Sequence, residues 1–119
     1  MEIKYINFNN KTIAELKSDL IEIHQPQDAL EIMMNCLYNG ADGLIMYEHN
    51  LHTDFFDLKS GLAGEILQKF STYQAKLAIV GDFSKYQSKS LRDFIYESNK
   101  IGRINFVASK EEALKSMTK

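Results

Sequence analysis

The chain has 119 residues and a formal net charge of −2, and 25% of its residues are charged. This length suits one domain, 1–119, around one core. Because the sequence contains no basic block and no apolar run near ~20 residues, we expect neither nucleic acid nor a membrane among its partners. The single cysteine, Cys36, excludes an internal disulfide, and the N-terminus lacks a signal-peptide pattern. We therefore expect a cytoplasmic protein.

The first residues alternate between apolar and polar side chains, which is typical of a half-buried strand. The apolar positions of this strand are Ile3, Tyr5 and Phe8. Asn9-Asn10 marks a turn, and Thr12 to Leu16 is the predicted returning strand of a hairpin. A further extended piece is predicted at Leu20 to Ile23.

A helix is predicted after Pro26, a residue that the first helical turn tolerates. Its apolar residues recur at the spacing i, i+3, i+4, i+7, and they are Leu30, Met33, Met34 and Leu37. Gly40 ends this helix. Cys36 lies beside the apolar face and is predicted to be an inert core residue.

Three short apolar runs in the rest of the chain predict strands, at Leu44–Tyr47, Leu77–Val80 and Ile104–Val107. Helical spacing predicts a helix from Ser60 to Tyr73, and a second one before Asn99. The capping box from Ser109 to Glu112 opens a final helix. The predicted order is β-β-α-β-α-β-α-β-α, an α/β domain with helices packed on a mixed sheet.

Polar and aromatic residues gather where the parallel strands end, the edge at which open α/β sheets place functional groups. The candidate residues for a ligand or partner surface are Glu48, Asp54, Phe55, Phe56, Asp57, Ser60, Asp82 and Phe83. Helix starts at Ser60-Gly61 and near Ser88 favour an anion, whereas the four acids favour a cation or a basic partner group.

The acids and serines of this edge also have a structural interpretation, as caps of helices. Asp57 or Ser60 can cap the second helix, and Ser90 with Asp93 has the spacing of a capping box. Of the adjacent pair Phe55-Phe56, one ring can enter the core while its neighbour stays outside as an interface anchor, or a loop can bury both.

The sequence does not favour metal or nucleophilic chemistry. His49 and His52, near Glu48 and Asp54, lie in a predicted loop that does not fix both imidazoles, and no third histidine or cysteine supports them. The Gly-x-Ser-x-Gly pattern and the glycine-rich phosphate loop are absent. We predict no catalytic residues, no metal and no other cofactor.

Three segments carry a resemblance to a known family: FFDLKSGLAGEILQKF from Phe55 to Phe70, KLAIVGDFSKY from Lys76 to Tyr86, and SKSLRDFIYESN from Ser88 to Asn99. With them, the span from Ala41 to Met117 resembles the domain of unknown function 4180 family, which is bacterial. The resemblance implies no activity, because none is established for that family.

The order of elements is also similar to that of the STAS domain, the fold of anti-sigma-factor antagonists. Ser60-Gly61-Leu62 resembles the Asp-Ser-Ser-Gly-Leu turn of that fold, and the ending FVASKEEALKSM resembles its last strand and helix. This resemblance implies a phosphorylated switch at Ser60, although Lys59 stands in place of the first serine of the turn.

Two functions remain open. The first is a non-enzymatic interaction or regulatory module of STAS-like fold, with a protein partner or a second copy of the chain bound at the Phe55–Leu62 segment. The second is a small-molecule-binding or enzymatic site at the C-terminal ends of the parallel strands that uses Glu48 and Asp82. A deep pocket favours the second, and a flat or apolar surface favours the first.

Overall fold

The computed structural model describes residues 1–118. The strands in this range are β1 (Glu2–Phe8), β2 (Lys11–Lys17), β3 (Gly43–Tyr47), β4 (Lys76–Val80) and β5 (Ile104–Val107). The α-helices are α1 (Pro26–Tyr38), α2 (Leu62–Thr72), α3 (Lys89–Ile101) and α4 (Lys110–Met117). The predicted order of elements is confirmed.

A two-residue turn joins β1 to β2. Asn9 and Asn10 have positive φ angles of 49° and 65°, as the primed turns of short hairpins require. The turn sets an antiparallel register in which Phe8 faces Lys11 and Ile3 faces Leu16. Because side chains alternate between the faces of a strand, Phe8 lies on the opposite face from Ile3 and Tyr5.

The strands lie in the sheet in chain order, and β2 to β5 are parallel. Right-handed crossovers that all step in the same direction place their helices on the same face of the sheet. Helices α1, α2 and α3 accordingly pack on one face, against the large core. Helix α4 follows the last strand and packs on the other face through Ala113, Leu114 and Met117. None of the helices within residues 1–118 combines the length and hydrophobicity that a bilayer crossing requires.

Two predicted details of the chain between β2 and β3 were wrong. Leu20 to Ile23 is not a strand; Ile23 makes one isolated bridge with Leu51, and the buried Asn50 amide donates to the carbonyls of Ser18 and Leu20. The buried face of α1 is formed by Ala29, Ile32, Met33 and Cys36. Met34 is exposed, because the helix is rotated toward the cysteine relative to the predicted face.

The second helix begins later than predicted. Three short 3-10 turns occupy the chain before it, at Glu48–Asn50, Thr53–Phe56 and Leu58–Ser60. Gly61 then takes a left-handed conformation with φ of 81°, and α2 begins at Leu62. The N-cap of α3 is Ser88, whose hydroxyl accepts from Leu91 N, and not the predicted Ser90.

A buried carboxylate on β2 joins the sheet to α4. The side chain of Glu15 is 1% exposed and accepts a 2.6 Å hydrogen bond from the Tyr47 hydroxyl. The Lys110 ammonium lies 3.0 Å from Oε1, but outside hydrogen-bond geometry, so this contact is an ion pair. Burial by itself raises the pKa of Glu15, but Tyr47 and Lys110 outweigh burial and hold the pKa below its ordinary value.

Lys110→Ala should lower the free energy of unfolding at pH 7 by about 1–3 kcal/mol, because it leaves a buried carboxylate without its cation. Lys115→Ala, on an exposed position of the same helix, should change it by less than about 0.5 kcal/mol. Urea unfolding measures both. The pKa of Glu15 is lowered in the folded state, so its contribution is present above the ordinary value of 4.5 and is lost as the pH falls below it. The two variants should therefore converge in acid, and equal losses at pH 7 would contradict this role of Glu15.

Tyr47→Phe should reduce the decrease in the free energy of unfolding at alkaline pH. Burial, and then the Glu15 carboxylate, raise the pKa of Tyr47 from 10.0 to about 12. Because the unfolded chain deprotonates first, the contribution of Tyr47 is complete below pH 10 and decreases by about 2–3 kcal/mol toward pH 12. Urea unfolding across that window should show a smaller decrease in the variant. Tyr73→Phe, which removes an exposed hydroxyl, is the control and should follow the wild type.

Candidate functional site

A cleft opens at the C-terminal ends of β3 and β4. It has a volume of about 420 Å³. The residues that shape it are Glu48, Leu51, Phe56, Gly81, Lys85 and Tyr86. We call it the Glu48 cleft. It lies at the predicted edge of the sheet, but it contains only two of the eight predicted site residues, Glu48 and Phe56.

Glu48 follows the last residue of β3, and its carboxylate reaches the loop after β4. One carboxylate oxygen, Oε2, accepts a 2.5 Å hydrogen bond from the Tyr86 hydroxyl and lies 2.7 Å from the Lys85 ammonium. The other oxygen, Oε1, accepts no hydrogen bond from the described residues and is not buried. The Glu48 side chain is 15% exposed, whereas that of Lys85 is 57% exposed. The carboxylate therefore offers one free oxygen to a donor that enters the cleft.

Gly81 lets this carboxylate approach the end of β4. A Cβ atom at position 81 would lie 2.7 Å from both Cβ and Oε1 of Glu48, closer than atoms normally pack. It would also lie 3.2 Å from the ring of Phe83. Glycine is thus needed here for space between two neighbouring loops, and any side chain would displace the Glu48 carboxylate.

Stacked aromatic rings form one wall of the cleft. The rings of Phe56 and Tyr86 stack with centroids 4.9 Å apart and planes 13° apart. Phe83 lies behind them, 6.2 Å from Phe56, and meets Phe106 edge to face at 5.2 Å. Burial, and then the Glu48 carboxylate, raise the pKa of Tyr86 well above its ordinary range. Tyr86 therefore keeps its proton and acts as a donor to Glu48 at physiological pH.

The adjacent phenylalanines have different surroundings. Phe55 is fully buried and contacts the rings of Phe56 and Phe106 from the core side. Phe56 is half-buried and faces the Glu48 cleft. The 3-10 turn Thr53–Phe56 directs the two rings to different sides, so Phe55 leaves the candidate surface and Phe56 stays on it.

Asp54, Asp57 and Ser60 lie apart from the Glu48 cleft and have local roles. The Ser60 hydroxyl donates to the Asp54 carbonyl at 2.5 Å and accepts from Leu62 N at 3.2 Å. Asp57 accepts from Lys59 N and so caps the turn Leu58–Ser60. Asp54 and Ser60 line a separate small groove beside the start of α1.

Asp82 and Phe83 belong to a third depression, between the loop after β4 and α3. The Asp82 carboxylate accepts from both the backbone and the hydroxyl of Ser84, and these bonds lower its pKa. The structure thus divides Glu48, Asp54 and Asp82 among three depressions. The chain after β3 returns to pair with Ile23 and carries Asp54 away from the ends of the strands.

The two histidines after β3 face different partners. His49 Nε2 is 2.8 Å from the Ser18 carbonyl, and His52 Nδ1 accepts from Asp54 N at 3.0 Å. Within residues 1–118, no group of three His, Cys, Asp or Glu side chains is arranged to hold a metal ion.

Sequence reasoning missed Lys85 and Tyr86 as site residues. Both residues lie in the polar loop after β4. Tyr86 is 38 residues from Glu48 in the sequence, so no local spacing connects this loop with Glu48. The one available signal was the position of both loops after neighbouring parallel strands, which brings their residues to the same edge.

Comparisons with known proteins identify the family. A protein-family model described as "Domain of unknown function (DUF4180)" matches residues 8–117. The chain belongs to this family. The family predicted from the three segments between Phe55 and Asn99 is thereby confirmed. A comparison with curated proteins found no match.

The DUF4180 chain is also similar to a solved structure, that of an anti-sigma-factor antagonist (STAS) domain protein from Planctomyces limnophilus. The two chains are 14% identical, the alignment covers 98% of each, and the TM-score is 0.41.

Phe55→Ala and Phe56→Ala should differ in their effect on stability. Phe55→Ala removes a fully buried ring and should lower the free energy of unfolding by about 3–5 kcal/mol. Phe56→Ala removes a half-buried ring that stacks on Tyr86 and should lower it by about 1 kcal/mol. Chemical unfolding of the two variants gives the comparison. If Phe56→Ala were as destabilising as Phe55→Ala, Phe56 would be a core residue and would not form a wall of the cleft.

Proposed function

We propose that this DUF4180 chain is a non-enzymatic interaction module of the bacterial cytoplasm and that it binds a partner protein through the Glu48 cleft. The observation that carries this proposal is the arrangement of Glu48, with one oxygen held by Tyr86 and Lys85 and the other free. Cys36 is buried and free of a disulfide, which suits a reducing compartment.

The chemistry of the Glu48 cleft suits the basic side chain of a partner. Such a side chain combines an apolar stem with a cationic end. The stem can lie on the stacked rings of Phe56 and Tyr86, and the cation can bind Oε1 of Glu48. Lys85 already makes a similar arrangement within the chain, since its ammonium pairs with Glu48 and lies 5.5 Å from the centroid of the Tyr86 ring. A partner cation therefore competes with Lys85 for the face of the Tyr86 ring and for the charge of the Glu48 carboxylate, although it binds the other oxygen.

An apolar rim beside the cleft favours a protein partner. Ile21 lines the cleft and is 42% exposed, and the neighbouring Leu20 is 68% exposed. Adjacent large apolar side chains at the mouth of a polar cleft are typical of interaction surfaces. The raised pKa of Tyr86 keeps its proton in place, so Tyr86 serves as a donor to Glu48 and not as a general base.

A small-molecule site is the second candidate. The volume of about 420 Å³ lies within the range of small-ligand pockets, roughly 300–1,000 Å³. A small basic molecule would use the same carboxylate and the same rings. It would not need the exposed rim at Leu20 and Ile21, and this difference separates the two candidates.

The proposal is tested with an acetylated Gly-Leu-Arg-Leu-Gly peptide and the matched peptide in which citrulline replaces arginine. Binding is followed by NMR titration of the ¹⁵N-labelled protein. Glu48→Gln should weaken arginine-peptide binding at least about 10-fold, because a charged hydrogen bond is lost. Lys85→Ala should tighten it up to about 5-fold, because the internal competitor of the ligand is removed. The citrulline peptide lacks the positive charge, so its affinity for the wild-type protein should not exceed the affinity of the arginine peptide for Glu48→Gln.

Lys59→Ala is the charge-matched control for Lys85→Ala and should leave binding unchanged. If Lys85→Ala weakens binding instead, Lys85 is part of the binding surface and the competition argument fails. If agmatine alone binds as tightly as the peptide, and Leu20→Ser with Ile21→Ser has no effect, the cleft is a small-molecule site. If neither peptide causes saturable shifts, the partner is not recognised through a basic side chain.

A further inference from the structure

A further depression lies at the opposite edge of the sheet, where the parallel strands begin. It has a volume of about 270 Å³ and lies between the first residue of β4, the end of α3 and the end of α4. Its polar lining residues are Lys76, Lys100, Arg103, Asn99, Asn105 and Ser116. We call it the basic pocket. It shares no lining residue with the Glu48 cleft.

Three basic residues line the basic pocket of a chain whose net charge is −2. Lys76, Lys100 and Arg103 come from two segments of the chain and line one cavity, and no acidic side chain among residues 1–118 lines it with them. Within residues 1–118, none of the three forms an ion pair. Three basic residues around one cavity give it a positive potential, and this potential favours an anion.

Hydrogen bonds hold Arg103 in place and leave most of its guanidinium N–H donors free. One guanidinium nitrogen donates to the Ala75 carbonyl at 3.3 Å, and the Arg103 carbonyl accepts from Leu77 N at 2.9 Å. A guanidinium has five N–H donors, so most of them stay available to a ligand. Anchoring one end of the fork reduces the conformational entropy that a ligand must overcome to order the side chain.

The end of α3 gives a structural alternative for these cations, because helix C-termini attract positive charge. Hydrogen bonds already satisfy some of the carbonyl groups at this end of the helix. Gly102 N donates to the Ser98 carbonyl at 2.8 Å, and the Asn105 amide donates to the Gly102 carbonyl at 2.9 Å. Glu112, on α4, lines a neighbouring groove and accepts from Ala108 N, so its carboxylate is engaged outside the basic pocket.

We propose that the basic pocket binds a phosphate dianion, free or as the phosphate group of a small monoester. A dianion interacts with each of the three cations about twice as strongly as a carboxylate does. Its oxygens can accept from the Arg103 fork and from both lysines together. The volume of about 270 Å³ suits a small ligand and is too small for a long chain. The proposal does not depend on the function of the Glu48 cleft.

NMR titration of the ¹⁵N-labelled protein with inorganic phosphate tests this site, at constant ionic strength set with sodium chloride. Saturable shifts are expected at the amides of Gly102, Arg103 and Asn105. Arg103→Gln should weaken phosphate binding at least about 10-fold, because charged hydrogen bonds are lost. Lys100→Ala, at an exposed position, should weaken it several-fold while the protein stays folded. Lys59→Ala should leave the affinity unchanged.

A parallel titration with glycerol phosphate distinguishes the two sources of the dianion. Tighter binding of glycerol phosphate identifies a monoester ligand, and equal or weaker binding identifies free phosphate. The proposal is overturned if chloride causes the same shifts, or if Lys100→Ala and Lys76→Met retain the wild-type affinity for phosphate. If in that case Lys100→Ala also lowers the melting temperature, the cations serve only the end of α3. Both lysine variants decide the matter even if Arg103→Gln does not fold.

Discussion

The Glu48 carboxylate is the contact on which the functional edge of this protein depends. It joins the loop after β3 to the loop after β4 through the Tyr86 hydroxyl, across 38 residues of sequence. By fixing Tyr86 it also fixes the ring that stacks on Phe56, and so it sets the wall of the cleft. Gly81 leaves the space in which this carboxylate lies. The Glu48 carboxylate therefore determines both the shape and the charge of the cleft.

The chain contains a second carboxylate held between a tyrosine and a lysine, and the comparison shows why the two differ in role. Glu15 is 1% exposed and Glu48 is 15% exposed. Glu15 is enclosed by the sheet and α4, so its loss of hydration is offset by permanent partners and it serves stability. Glu48 is at the surface, and its lysine is mostly in solvent. An exposed ion pair contributes little stability, so its cation can be exchanged for that of a partner with little loss.

The fold was more predictable from the sequence than the sites were. Short apolar runs such as Leu77–Val80 predicted the strands, because a buried parallel strand needs a nearly continuous apolar segment. The Glu48–Tyr86 contact depends on the conformations of two irregular loops, which have no sequence period. The difference in burial between the rings of Phe55 and Phe56 depends on a 3-10 turn of four residues. The basic pocket joins Lys76 to Lys100 and Arg103 only through the sheet, so their spacing along the chain gives no signal.

The central claim is that a partner's basic side chain binds the free oxygen of Glu48 on the wall formed by Phe56 and Tyr86, and so weakens the pairing of Lys85 with that carboxylate. The most direct measurement is an isotope-filtered NMR experiment on the complex with the arginine peptide. The account predicts intermolecular contacts from the arginine methylene protons to the ring protons of Phe56 and Tyr86, together with a change at the Lys85 ammonium as its pairing with Glu48 weakens. Contacts confined to the depression beside Phe83 and Ile95, with the Lys85 ammonium unchanged, would contradict it.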